Sequence, residues 1–259
     1  MLEIIILLLA GIGAGIVTGL VGASAAMVAA PLLIVFLDYP AYLAIGIALS
    51  IDVFASLFAT LIYHKNGRIK IKPSLILLIS SLVAVLIGSY FSKNITSDNL
   101  GLAIGIGIIL AGLSIMIKKK KNISTKKHIP FFEKYKTLSL ILVGLLIGTI
   151  AGFFGAGGGI MILLALVIIL DYKTHEAIGT SVFLMIFIAL FGGIAHYVNM
   201  PFSIPYLFIG AGGGIIGAIF ASKFANLLDE KTLNKLVGFT IITLGILLFL
   251  KNLFFKLSV

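Results

Sequence analysis

The chain has 259 residues, 61% of them hydrophobic and only 11% charged, with a mean hydropathy of +1.24. These values exclude an ordinary water-soluble domain and leave a polytopic all-α membrane protein. The net charge of +10 needs no nucleic acid to explain it, and with Cys 0 there is neither a thiolate metal site nor an argument about redox compartment.

The first apolar segment covers 2–21 and opens Met1-Leu2-Glu3, without a basic stretch or a small-residue cleavage site. It reads as a retained membrane helix and not as a signal peptide. Further apolar segments follow at 25–37, 41–63, 73–92 and 100–117, then a lysine-rich connector, then segments at 138–154, 160–170, 176–198, 204–222 and 233–249. The expected organisation is a first transmembrane repeat at 1–117, a cytoplasmic connector at 118–137 and a second repeat at 138–259. Each half holds five segments, eight to ten membrane helices in all, and the second segment of each is short. At ~1.5 Å per residue a helix over 160–170 covers roughly 17 Å, about half of the ~30 Å hydrocarbon core.

Just before that short segment lies Gly155-Ala156-Gly157-Gly158-Gly159. Glycine there serves either a tight helix crossing or a break in the helix, and a break at membrane depth is tolerated only where protein or a polar cavity satisfies the backbone. The second reading gains weight because the stretch has a copy. At an offset of 133, Gly148, Gly152, Gly155 and Ala156 fall on Gly15, Gly19, Gly22 and Ala23. Asp171-Tyr172 likewise falls on Asp38-Tyr39, and Ala177-Ile178-Gly179 on Ala44-Ile45-Gly46. Later the offset slips by four, setting Gly217 and Phe220 against Gly88 and Phe91.

Charge sets the threading. The connector carries Lys118, Lys119, Lys120, Lys121, Lys126, Lys127, Lys134 and Lys136, which places it in the cytoplasm. Counting helices outward, Lys65, Arg68, Lys70 and Lys72 lie inside, and so do Lys223, Lys231 and Lys235; Asp38 and the uncharged loop at 199–203 lie outside. Corresponding loops carry opposite charge bias, so the halves are expected to be inverted repeats, the architecture of secondary transporters. Their broken helices would bring two N-termini to one volume, where backbone N–H groups and the helix dipole attract an anion.

The order Gly155-Ala156-Gly157-Gly158-Gly159, Ala177-Ile178-Gly179-Thr180-Ser181, Gly193-Ile194-Ala195-His196-Tyr197 and the glycines from Gly210 to Gly217 resembles the TauE/SafE-type sulfite exporter family over essentially the whole chain. The resemblance implies transport of sulfite, small organosulfonates or related anions without ATP hydrolysis, and no cofactor. The first half departs from the family pattern in having Gly22-Ala23-Ser24-Ala25-Ala26, where more glycine is usual, and the second has Leu164 where a proline is expected.

The candidate substrate-binding residues are Gly22, Ser24, Ala25, Ser50, Gly157, Gly158, Gly159, Thr180 and Ser181; the candidate coupling residues are Asp52 and His196. Asp52 is an intramembrane carboxylate, suited to a proton or sodium ion, or else a carboxyl hydrogen-bonded to a neighbouring helix. His196 is a proton relay or an interfacial cap. Thr180, Ser181 and Ser50 either donate to an anion or bond back to their own helix, while Asp38 and Asp171 read as caps. The expected partners are a small anion, membrane lipid and a proton or sodium ion, with a homo-oligomer left open. Two rival readings are a passive channel and, more remotely, an intramembrane serine protease built on Ser24 and His196.

Overall fold

The computed structural model describes residues 2–92, 135–155, 158–197, 204–225, 227–229, 232 and 246. Outside them lie the connector up to Lys134, the predicted segments at 100–117 and most of 233–249, Ala156 and Gly157 of the break, and the loop at 198–203. Eight helices carry the described fold: α1 (Leu2–Val21), α2 (Ala26–Leu37), α3 (Ala41–Lys65), α4 (Leu75–Ser92), α5 (Lys136–Phe154), α6 (Gly158–Ile169), α7 (Thr174–Tyr197) and α8 (Ile204–Ala225). No strand occurs among the described residues. Six helices are long and apolar enough to cross a membrane; α2 and α6, of 12 residues each, are not. The chain is therefore a multi-pass membrane protein. In the second half the short helix starts at Gly158, earlier than the apolar run alone indicates, because Gly158 and Gly159 are its first turn and not part of the break.

Small residues determine which helices touch. A side chain on Gly11, Gly15 or Gly19 of α1 would run into the backbone of Gly210, Gly214 and Ala218 on α8. One on Gly144, Gly148 or Gly152 of α5 would run into Leu77, Ser81 and Val85 on α4. Without a hydrophobic driving force between helices in lipid, such close backbone contact supplies the packing energy. Ser81 and Ser89 add hydroxyl bonds across the second seam, to the Gly144 and Gly152 carbonyls at 3.0 and 3.3 Å. In both seams residue numbers rise together, so each pair runs parallel.

These two seams are copies of each other at a constant offset of 133: Gly15 meets Gly214 as Gly148 meets Ser81, and Gly19 meets Ala218 as Gly152 meets Val85. The four-residue slip expected from the glycine alignment is therefore absent. Four residues is about one helical turn, so aligning Gly88 with Gly217 matched the right face at the wrong height. The same exchange relates the loops. Tyr39 N–H reaches the Leu33 carbonyl and Tyr172 N–H the Leu166 carbonyl, while Asp38 and Asp171 both take left-handed backbone, at φ 53 and 55, to close α2 and α6. The two aspartates cap helix C-termini through their backbone, a conformation their short polar side chains tolerate.

At the centre α3 crosses α7 antiparallel: Gly46 packs on His196 and Tyr197, Gly193 on Ser50, and Tyr63 on Gly179. Helices α3 and α7, which align at the offset of 133, thus run in opposite directions. Tyr39 at the head of α3 donates to Glu3 at the head of α1, and Tyr63 near the foot of α3 donates to the Gly19 carbonyl near the foot of α1 at 2.8 Å. Helices α1 and α3 thus run the same way, and α2 returns only part of the distance. All Lys and Arg among the described residues (Lys65, Arg68, Lys70, Lys72, Lys136, Lys173 and Lys223) gather at one end of the bundle, with Glu3 and Asp38 at the other.

Equivalent seams should respond alike. Gly15→Val and Gly148→Val each force a branched side chain against backbone, and should each cost about 1–3 kcal/mol. Thermal melting of the purified protein in detergent checks this; a tolerated substitution at either site would contradict the packing.

Candidate functional site

The two breaks meet in the middle of the bundle. After α1 the chain turns at Gly22, φ 67, and after α5 at Gly155, φ 64, a region that side-chain-bearing residues rarely enter. The space is closed as well, since a side chain at Gly22 would strike Ile178 and Ser181, and one at Gly155 would strike Ile45. Gly159, in the first turn of α6, lies against the backbone of Gly22, Ala23 and Ser24. Each break is thus the other's wall.

Asp52 from the middle of α3 enters this crossing and is fully buried. Its Oδ2 accepts from Ser24 Oγ at 2.6 Å, its Oδ1 from Ser56 Oγ at 3.0 Å and Thr18 Oγ1 at 3.5 Å, and the Ala25 N–H adds a backbone bond. The carboxyl group therefore stands at the N-terminal end of α2, where the helix dipole favours negative charge. Ser24 Oγ also accepts from the Ala26 N–H at 3.3 Å and lies 3.2 Å from the Gly155 carbonyl. One hydroxyl proton faces two acceptors, the Asp52 carboxyl and the end of α5. At the second break the residue equivalent to Asp52 is Met185, whose Sδ lies 3.6 Å from the position of a Cβ on Gly158. The two breaks each open on a left-handed glycine and differ in the side chain that faces them.

The other sequence candidates separate into two neighbourhoods. Ser181, fully buried, bonds the Ile178 carbonyl at 2.9 Å and the Gly22 carbonyl at 3.2 Å, so it ties the first break to α7. Thr180 accepts the Lys70 N–H at 3.0 Å, fastening the loop after α3 over the start of α7. That fastening is reinforced by Lys70 Nζ on Glu176 at 2.8 Å and by Tyr172 OH on the Lys70 carbonyl at 3.2 Å. Burial and the Glu176 charge push the Tyr172 phenol up to about 12, so it remains a donor. At the opposite end, burial and its bond to Glu3 raise the Tyr39 phenol in the same way.

Ser50 and His196 lie towards that Glu3 end. Ser50 bonds back to the Gly46 carbonyl at 3.1 Å and to Tyr197 OH at 2.7 Å. His196 is 1% exposed; its ring stacks on Tyr42 at 4.3 Å, and its Nδ1 meets the Gly192 carbonyl at 3.0 Å. A carbonyl only accepts, so Nδ1 carries the hydrogen in this bond. Ser24 and His196 thus have separate partners, and the arrangement a serine protease needs is not assembled. Reading the sequence missed Thr18, Ser56, Tyr42 and Tyr197. Ser56 was within reach, because it follows Asp52 by four residues and so shares its helix face.

With the geometry in place, comparison with known proteins is decisive for the family. A family model described as Sulfite exporter TauE/SafE matches residues 7–248. The chain belongs to the TauE/SafE family. It is also 26% identical to the "Probable membrane transporter protein YunE" of Bacillus subtilis (strain 168), over 98% of this chain and 100% of that protein. It is 26% identical to the "Probable membrane transporter protein YdhB" of the same organism, over 90% of this chain and 95% of that one. A "Probable membrane transporter protein" of Xylella fastidiosa (strain 9a5c) is 27% identical over 90% of this chain and 89% of its own. No solved structure matches. Membership in TauE/SafE makes this chain a membrane transporter.

The Asp52 cluster makes a test of its own. Asp52→Leu leaves Ser56 and the Ala25 N–H without their acceptor, while Ser24 keeps the Gly155 carbonyl, and should destabilise by about 1–3 kcal/mol for each buried group stranded. Asp52→Asn keeps an acceptor and should lose less. Equal melting temperatures for Asp52→Leu and wild type would show that the cluster holds nothing together.

Proposed function

We propose that the chain is a secondary transporter that carries a small sulfur-containing anion, sulfite or an organosulfonate, across the cytoplasmic membrane by alternating access. The observation that supports it most is the meeting of two broken helix pairs, from halves related by exchange, at one buried polar cluster. Inverted halves whose discontinuous helices face each other near the midplane are how secondary transporters build a site that opens to either side. The lysine-bearing end is then cytoplasmic by the positive-inside rule, and the connector with it. The family description, Sulfite exporter TauE/SafE, supports the substrate class.

The anion belongs to the second break. At the first, the Asp52 carboxyl group stands before the head of α2, and two negative charges at one helix end repel. At the second, Gly158 and Gly159 head α6 beside the neutral Met185, so backbone N–H groups and the positive helix end remain for the anion. Gly22, Ser24 and Ala25 form the facing wall; Gly157, in the same glycine run of the sequence, is assigned to the anion with Gly158 and Gly159. Ser50, Thr180 and Ser181 act by position, holding helix, loop and break, and not as direct donors. Asp52 carries the coupling proton or sodium ion, with His196 as a second exchangeable group nearer the Glu3 end.

Three measurements test this reading. In proteoliposomes loaded with labelled sulfite, unlabelled sulfite outside should accelerate loss of label, the mark of a carrier that returns faster when loaded; flux indifferent to the opposite side would mean a channel. Asp52→Asn should also fold and bind the anion, but lose any dependence of uptake on a proton or sodium gradient. Gly158→Val should weaken anion binding by about 1–3 kcal/mol by displacing backbone donors to a charged ligand, read by calorimetry. Wild-type affinity there would move the site elsewhere.

A further inference from the structure

Five helical hydroxyl groups among the described residues share one habit. Ser50, Ser80, Ser81, Thr149 and Ser222 each donate to the carbonyl four residues back, at 2.6 to 3.1 Å. That bond satisfies a hydroxyl without water. Two residues of α3 depart from it. Ser56 is turned onto Asp52 Oδ1, and Thr60, one turn further, is 8% exposed with its hydroxyl oxygen buried and unpartnered. Arg68, just past the end of α3, has a buried Nε that is also unpartnered. The other such hydroxyl among the described residues, Ser139, is in the first turn of α5, at the lysine-bearing end.

Asp52, Ser56, Thr60 and His64 recur every four residues and so follow one face of α3, from the middle of the bundle to its basic end, where His64 is exposed. Buried hydroxyls without partners are costly, and the duplicated helix shows that the fold does not require them. At the offset of 133 the same positions of α7 are Met185, Ala189, Gly193 and Tyr197. One polar stripe, in one half only, leads from the buried carboxyl group to the basic face.

We propose that this stripe is a water-borne proton path between Asp52 and the lysine-bearing face, with Thr60 as its middle station. This rests on reading Asp52 as the coupling residue. Groups four residues apart on a helix are ~6 Å apart, a gap that one water bridges with two hydrogen bonds of ~2.8 Å. In the exit step the O–H bond of a protonated Asp52 carboxyl breaks, and the proton passes to water beside Ser56. It then moves past Thr60 and leaves at His64, while the carboxylate stays held by Thr18, Ser24 and Ser56. The groups packed against Asp52 from other elements are neutral: Thr18 of α1, Ser24 and the Ala25 N–H at the head of α2, and the Gly155 carbonyl after α5. The charged and titratable groups stand at the mouth, His64, Lys65 and Arg68, with Tyr63 buried beside them on α3.

The chain has Cys 0, so an introduced cysteine is its only thiol. Thr60→Cys, in the full chain in vesicles, should react with a small water-soluble methanethiosulfonate from the side on which a Lys72→Cys reference reacts. Because the reaction needs thiolate and hence water, it should run about tenfold faster than at Leu61→Cys, the neighbouring position on the outer face of α3. Thr60→Val, which keeps the shape and removes the hydroxyl, should slow proton-driven uptake several-fold while anion affinity and melting temperature hold. A Thr60→Cys no more reactive than Leu61→Cys, or reactive only from the other side, overturns the path and leaves the role of Asp52 standing. Gradient dependence that survives Asp52→Asn while Thr60→Cys still reacts overturns the coupling role instead, and with it the path's starting point.

Discussion

A carboxyl group in the middle of a membrane protein must be given its donors by the protein, and the centre of this fold is arranged around that need. Thr18, Ser24 and Ser56 come to Asp52 from the end of α1, the first break and α3. Supplying them requires α1 to stop short of the head of α2, and the break that results must be walled by something. The wall is the other break, through Gly159 on the Gly22–Ser24 backbone and through Ser24 on the Gly155 carbonyl. Removing the carboxyl group would therefore disturb a junction and not just one side chain.

The junction also explains how a duplicated backbone can serve unequal roles. The glycine turns, the left-handed aspartates and the two parallel seams repeat at one offset, so the scaffold is common to both halves. What differs is the chemistry placed on it: Asp52 against Met185, Ser56 against Ala189, Thr60 against Gly193. One half carries a carboxyl group and a line of hydroxyls; the other has a thioether and no hydroxyl at those three positions. On the proposed function these unequal surroundings suit a coupling ion at one copy and an anion at the other.

Much of this was legible in the sequence because membrane helices leave little choice. Length and hydropathy gave helices near their observed bounds, and Gly22, Gly155 and the Asp-Tyr pairs identified the repeat. The register of α4 against α8 was not legible, since helical period makes a glycine one turn away look equivalent; only contact with α1 and α5 decides the height. Asp52 stood out as a lone carboxylate, but nothing local says that it fills the head of α2, a contact across 28 residues with Ser24. Thr180 reads in the sequence as an anion donor or a hydroxyl bonded to its own helix, and it instead accepts from the backbone of Lys70, 110 residues away. Long-range pairing of this sort is invisible to spacing. The unpartnered state of Thr60 is likewise a property of packing and not of sequence.

On the proposed function, an ion gradient acting through this junction moves the anion against its own gradient. Concentrative uptake shows it most directly: purified protein in vesicles holding sulfite at the same concentration as outside, with a proton or sodium gradient then imposed. The expected result is a transient accumulation of sulfite above the outside concentration, abolished by a protonophore or sodium ionophore. Sulfite that never departs from equal concentrations under either gradient would contradict it.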